Sequence, residues 1–222
     1  MYIEDIIGPV MVGPSSSHTA GAARIGRVAY MLLGEKVKNA DILLHGSFFT
    51  TGKGHGTDKA LVAGLLGLRV DDMRIPRSFE LAKEEGMNYR FGEVDLGGDA
   101  HPNSVMLALT GVSGKRLEVV AASIGGGRIK VTRLDGLDVD FSGNMPTLVI
   151  EHMDHPGVVS EVTTLLVDKN INIATMRLYR SSRGGQAEMV LECDQEVPDD
   201  VVDALKELKD IICVIYFSQA GK

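Results

Sequence analysis

The segment Gly13-Pro14-Ser15-Ser16-Ser17-His18-Thr19 places three serine hydroxyls, a threonine hydroxyl and an imidazole directly ahead of an apolar run. A helix starting there would present unpaired N–H groups and partial positive charge, which receive small anions such as a carboxylate. One Ser or Thr cap is ordinary, but three hydroxyls and a His exceed what a cap needs, so the segment reads as an anion site. A second segment, Thr51-Gly52-Lys53-Gly54-His55-Gly56-Thr57-Asp58-Lys59, flanks His55 with glycines. Small neighbours leave that ring approachable, and an imidazole titrating near pH ~6.5 can take a proton at neutral pH. The same residues leave open a His55 that only bonds loop carbonyls. A phosphate-loop reading fails on spacing, because His55 follows Gly54 where that motif needs Lys. In Gly97-Gly98-Asp99-Ala100-His101-Pro102-Asn103-Ser104, His101 and Asn103 sit on a turn where each could orient a ligand, or Asn103 could simply begin a strand. In Ser123-Ile124-Gly125-Gly126-Gly127-Arg128, three glycines interrupt two strands, which calls for a bend or a close backbone approach and offers N–H groups to an anion.

The elements that must position these groups can be read from periodicity. Ala22, Ile25, Val28, Ala29 and Leu32 follow the helical repeat and Gly34 stops it. Ala40 to Phe49 reads as a buried strand, and Thr57 as the cap of a helix running to Leu66 with Asp58 in its first turn. Arg77 to Glu85 is a polar-faced helix. Tyr89–Val94, Ser104–Thr110, Arg116–Ile124, Arg128–Leu134 and Leu137–Phe141 are strands. This is an α+β arrangement with an antiparallel second half. Turn residues cluster at Asp140 to Pro146, which divides the chain into domains 1–143 and 147–222. In the second, Thr147–Glu151 is a strand and Val158–Lys169 a helix with Val159, Val162, Leu165 and Leu166 on one face. Ile171–Ser181 and Gln186–Cys193 are strands joined at Ser182-Arg183-Gly184-Gly185, Asp199–Leu208 a helix, and Ile211–Phe217 the last strand. That order, βαββαβ, is the ferredoxin-like split βαβ.

The 222 residues carry a net charge of −7 with 5% aromatics, a poor composition for binding nucleic acid. No apolar window reaches membrane-spanning length, and Met1-Tyr2-Ile3-Glu4-Asp5 does not read as a signal peptide, so a cytoplasmic protein without membrane contact is expected. Cys193 and Cys213 lie in apolar strands and read as reduced, buried core thiols. Two thiols are too few for an iron–sulfur cluster, which takes four protein ligands. His45 reads as a satisfied core or edge histidine. No Cys/His/Asp/Glu grouping has zinc spacing.

The loop His152-Met153-Asp154-His155-Pro156-Gly157-Val158-Val159, within Pro146 to Phe217, resembles the first loop of the ACT domain. That resemblance implies a small amino-acid ligand at Asp154, Pro156, Gly157 and Val158 and pairing with a second copy as a homodimer; a copy that only dimerises stays open. The ordered set of all four N-terminal segments, followed by an ACT-like tail, resembles the beta subunit of the two-subunit, iron–sulfur-dependent L-serine dehydratases. The resemblance implies an N-terminal mixed α/β serine dehydratase beta-like domain and an ACT domain. It implies deamination of the substrate L-serine to pyruvate and ammonia, with a [4Fe–4S] cluster held by the partner alpha subunit and little activity of this chain alone. It also implies His55 as the base with His18 beside it, and substrate binding by Ser15, Ser16, Ser17, Thr19, Lys53, Thr57, His101, Asn103 and Ser123. The N-terminal domain is similar, too, to the allosteric substrate-binding domain of some phosphoglycerate dehydrogenases. That keeps open a non-catalytic regulatory module sensing serine or another small anion, or a pure dimerisation scaffold.

Overall fold

A computed structural model describes residues 10–218. The Met1–Asp5 stretch therefore lies outside the described residues. The chain divides into two compact units at Gly136/Leu137.

In the first unit, a single π-helical turn, Ser16–Gly21, runs into α1 (Ala22–Leu33), which Gly34 ends. Then follow β1 (Val37–Leu44), α2 (Gly46–Thr50), a 3₁₀ turn at Gly52–His55, α3 (Thr57–Leu65), α4 (Ser78–Glu84), β2 (Asn88–Glu93), β3 (Ser104–Gly111), β4 (Arg116–Gly125) and β5 (Arg128–Leu134). The strands bond in the order β2-β1-β3-β4-β5. β1 and β2 run parallel, whereas β1–β3, β3–β4 and β4–β5 are antiparallel, with Ile42 opposite Leu107 and Ala40 opposite Leu109. Alternate residues of β1 and β3 are buried, as a sheet with a packed face requires.

The helical layer is set by glycine. Where α1 crosses α3, a Cβ on Gly64 would stand 2.1 Å from the Ala23 carbonyl oxygen, and one on Gly26 would stand 2.4 Å from the Leu61 carbonyl oxygen. The backbones thus approach more closely than side chains would permit. Since α1 begins beside His18 and α3 beside His55, this crossing fixes the spacing of the two imidazole-bearing segments.

Two local expectations fail. The strand predicted to run to Phe49 ends at Leu44, and Gly46–Thr50 is helical. Gly46 takes φ +55°, and the amides of Ser47 and Phe48 turn to the Pro102 carbonyl (2.7 and 3.3 Å), so they are lost to the sheet. A Cβ on Gly46 would also meet that carbonyl at 2.7 Å. Thr57 does not cap α3: the cap position is Gly56 in the left-handed region, and Thr57 is the first helical residue with its hydroxyl buried and unpaired among the described residues.

The second unit holds β6 (Leu137–Phe141), β7 (Thr147–Met153), α5 (Val158–Asp168), β8 (Ile173–Arg180), β9 (Gln186–Cys193), α6 (Asp199–Lys206) and β10 (Ile211–Phe217). Its sheet order β10-β7-β9-β8, antiparallel throughout, is the ferredoxin-like pattern. Leu148, Ile150, Met189 and Leu191 pack with Val158, Val162, Leu166, Val201 and Leu205 of the helices. Val159, expected on the packed face, is exposed instead. Both cysteines are free, but only Cys193 is buried; Cys213 is half-buried, so the expectation of two core thiols is corrected there. No described helix is long and apolar enough to cross a membrane.

Candidate active site

Ser15 caps the π-helical turn: its Oγ accepts the His18 amide (3.0 Å), and its carbonyl accepts the amides of Thr19 and Ala20 (2.9 and 3.2 Å). The bond from Ala20 spans five residues and widens the first turn, a form that recurs at functional sites. Of the hydroxyls that crowd this end, Ser15 is spent on capping and Thr19, 3% exposed, on donating to the His55 carbonyl (3.0 Å). Ser16 and Ser17 are half-buried, and their hydroxyls have no hydrogen-bond partner among the described residues.

That Thr19 bond ties the first segment to the second. It leaves the ring of His18 against that of His55, with centroids 5.0 Å apart, and edge-on to buried Phe48 at 5.5 Å. His55 is exposed and His18 half-buried, so one ring is approachable and the other anchored. His18 Nε2 lies 3.1 Å from Thr51 Oγ1 and 3.2 Å from Ser47 Oγ, which are themselves 3.1 Å apart. Thr51 donates its proton to the Ser47 carbonyl (2.8 Å), so its oxygen faces Nε2 as an acceptor. Burial, then the neighbouring His55, push the His18 pKa below the usual imidazole value, while a bond to Ser47 acts the other way. Two imidazolium ions this close repel, so the pair is suited to holding one proton.

The remaining segments support this pair from beneath. Pro102 accepts the α2 amides that orient Ser47, His101 Nδ1 accepts the Asn103 amide (3.1 Å), and the Asn103 carbonyl accepts the Ser123 amide (2.9 Å). Ser123 is fully buried, and a Cβ on Gly21 would stand 2.0 Å from its Oγ; its hydroxyl meets the π turn instead of solvent. Gly125, Gly126 and Gly127 all take positive φ (+96°, +60° and +73°), which explains the triple glycine, and Arg24 donates to the Gly127 carbonyl (3.3 Å). His101 is exposed and Asn103 half-buried. Lys53 lines a different feature, an aromatic cleft beside the His55 loop. His45 Nδ1 accepts the Leu96 amide at 3.3 Å, the satisfied histidine expected.

Sequence reasoning missed Ser47 and gave Thr51 no role. The available signal was their i,i+4 spacing, which aligns two hydroxyls on one helical face once Gly46 ends the strand.

In the second unit, Asp154 Oδ2 accepts the Gly184 amide and Arg180 Nη1 (both 3.1 Å). The amide first, then the guanidinium, hold its carboxyl below the ordinary range. Asp154 thus braces its own loop, next to Pro156, Gly157 and the buried Val158 that starts α5.

Neither cysteine fits a cluster site. Cys193 is level with Pro146 and Cys213 with Glu151 on intervening β7, so about five residues, on the order of 17 Å, separate them along the strands. Burial raises the Cys193 thiol to about 11. No metal-binding group of three or more His, Cys, Asp or Glu exists among the described residues.

Comparison with known proteins bears on both units. The family described as serine dehydratase beta chain matches residues 5–133, and the ACT domain family matches residues 147–210. The chain is 40% identical to the L-serine dehydratase beta chain of Peptoniphilus asaccharolyticus over 201 residues, 90% of each chain. It is 42% identical to a Bacillus subtilis (strain 168) protein named as a probable L-serine dehydratase beta chain, over 95% of this chain and 94% of that one. It is also 29% identical, over 87% of its length, to the D-3-phosphoglycerate dehydrogenase of Bacillus subtilis, of which it spans 36%.

Proposed function

The chain belongs to the serine dehydratase beta chain family, and on that premise we propose that it is the beta subunit of an iron–sulfur-dependent L-serine dehydratase. In this reading the reaction, L-serine to pyruvate and ammonia (EC 4.3.1.17), takes place in the cytoplasm and in complex with an alpha subunit, and this chain is inactive alone. The cluster is held by the alpha subunit, because the cysteines here are too few and too far apart to hold it.

The observation that carries the assignment is the imidazole pair with its hydroxyl support, assembled from segments far apart in sequence. Deamination requires removal of the α-proton while the β-hydroxyl departs and the carboxylate stays fixed. His55, exposed and flanked by glycines, takes the α-proton; neutral His18 beside it keeps the pair at one proton. The unpaired hydroxyls of Ser16 and Ser17 bind the substrate carboxylate at the start of the π turn, where backbone N–H groups also point. Ser15 and Thr19 hold the two rings in place, as do His101, Asn103 and Ser123 from below. Loss of the proton and hydroxide leaves 2-aminoacrylate, whose imine form water hydrolyses to pyruvate and ammonia. A positioned base contributes ~10²–10⁴ in rate.

The test is anaerobic co-expression with a cysteine-bearing alpha chain and a pyruvate assay. His55→Ala should lower kcat by ~10²–10⁴ while the complex still forms; a loss below tenfold removes His55 from the role. The likeness to phosphoglycerate dehydrogenases favours one second reading, a module that senses serine or another small anion. In that case His55→Ala shifts substrate dependence and leaves maximal turnover intact. The ACT domain, by the same family logic, pairs with a second copy and takes a small amino acid at the Asp154–Val158 loop.

A further inference from the structure

We infer that the aromatic cleft beside the His55 loop is the docking surface for the alpha chain, an inference that rests on the two-chain reading above. The cleft has a volume of about 390 Å³ and is walled by Phe49, Phe79, Tyr89 and Phe91, with Lys53 and Asp58 at its rim. Phe79 stacks on Tyr89 (centroids 5.4 Å), and Phe91 lies edge-on to Tyr89 at 5.7 Å. Tyr89 and Phe91 alternate on β2, the edge strand of the sheet. Phe49 is 43% exposed and Phe91 39%. Rings clustered in one open cleft on a sheet edge mark an interaction site, and aromatic anchors are where binding energy concentrates.

Position identifies the occupant. One wall of the cleft is the segment that builds the imidazole site: Phe48 turns inward against His18 while Phe49, its neighbour, turns to the cleft. Lys53 and Asp58 bracket His55 in sequence. A second chain that closes over His55 to complete the site therefore extends onto these rings. The rim charges set its chemistry. Lys53 has no ion-pair partner among the described residues, and the Asp58 carboxylate accepts only the amide of Lys59 (2.8 Å). The partner presents an apolar ridge flanked by one carboxylate and one cation.

Hydroxyl-radical footprinting of the wild-type chain, alone and assembled with the alpha chain, should show Phe49 and Phe91 protected several-fold on assembly. Phe91→Ser should raise the alpha concentration for half-maximal assembly at least tenfold, with kcat at saturating alpha within twofold of wild type. Equal oxidation of both rings in the complex, or Phe91→Ser assembling at wild-type concentrations, overturns the inference. So does protection of the same rings in the free chain by L-leucine or L-phenylalanine, which would make the cleft a small-molecule pocket. Should Phe91→Ser fail to fold by circular dichroism, the wild-type footprint decides. A complex that forms with ring protection but turns over no serine refutes the proposed reaction and leaves the docking surface standing.

Discussion

Thr19→Val removes one hydroxyl and little else. The side chain is buried, its Oγ1 donates to the His55 carbonyl at 3.0 Å, and its methyl sits where Gly13 packs on it, a contact that valine keeps. A hydrogen bond of this kind contributes a net ~0.5–1.5 kcal/mol, and a buried acceptor left alone costs up to ~1–3 kcal/mol. The bond is only part-buried, so the loss falls near the middle of the lower range, about 1 kcal/mol. That corresponds to roughly a fivefold rise in opening of the 52–56 turn. The amides of Gly54 and Gly56, bonded to the carbonyls of Thr51 and Lys53, report it by hydrogen exchange. They should exchange about fivefold faster in Thr19→Val and at the wild-type rate in Thr19→Ser, with kcat/KM of the assembled enzyme falling in parallel. Exchange and turnover both unchanged in Thr19→Val would show that the interlock does not hold the His55 loop.

The His18 imidazole should titrate below the ordinary histidine value by two-dimensional NMR, and His55→Gln should move its midpoint upward by removing the neighbour. Since folding depresses this pKa, its contribution to stability is intact above the unfolded-state value of ~6.5 and is lost as pH falls from there toward the folded pKa; His18→Gln should flatten that slope in denaturant melts. Gly64→Ala, whose added methyl would stand 2.1 Å from the Ala23 carbonyl oxygen, should force α1 and α3 apart and cost ~1–3 kcal/mol, seen as a lower midpoint in urea. Half-buried Cys213 should be alkylated first in the native protein. Cys193, buried and with its thiol raised to about 11, should react only on unfolding, as peptide mass mapping after a timed iodoacetamide pulse would show.

Strong periodicity made most of the fold legible. The α1 stripe, the antiparallel run from Ser104 to Leu134 and the βαββαβ order of the second unit all follow from residue pattern and turn residues. Where the reading failed, a long-range contact had overridden local preference. Ala40 to Phe49 is apolar enough to stay extended, yet the Pro102 carbonyl captures two of its amides and bends the chain at Gly46. Nothing within the decapeptide signals that acceptor, which lies some fifty residues on. Thr57 has every local attribute of a cap, but Gly56 reaches a left-handed conformation closed to Thr57 and takes the position. The four motifs stood out by residue type; which of their hydroxyls bond another loop and which stay unpaired did not, because both uses need the same residue types.

Those loop-to-loop uses have a kinetic consequence. Gly21 meets Ser123, Gly46 meets Pro102, Thr19 bonds His55, Arg24 bonds Gly127, and His18 leans on Ser47 and Thr51. Each contact has its two ends in different segments, so enlarging or removing one end displaces the other and, through it, the imidazoles. Gly21→Ala illustrates the case: its methyl would overlap Ser123 Oγ, and the cheapest relief is a shift of the π turn that carries His18. A residue that binds substrate alike in its ground and transition states moves KM when removed, whereas a residue that only aims a base moves kcat. The π turn carries the Ser16 and Ser17 hydroxyls as well as His18, so Gly21→Ala should lower kcat of the assembled enzyme and raise its KM, and the double variant Gly21→Ala, Ser123→Gly should recover most of both by removing the overlapping Oγ and Cβ. Recovery absent in the double variant, with the fold intact by circular dichroism, would mean that the buried Ser123 hydroxyl serves the reaction itself and not the packing beneath it.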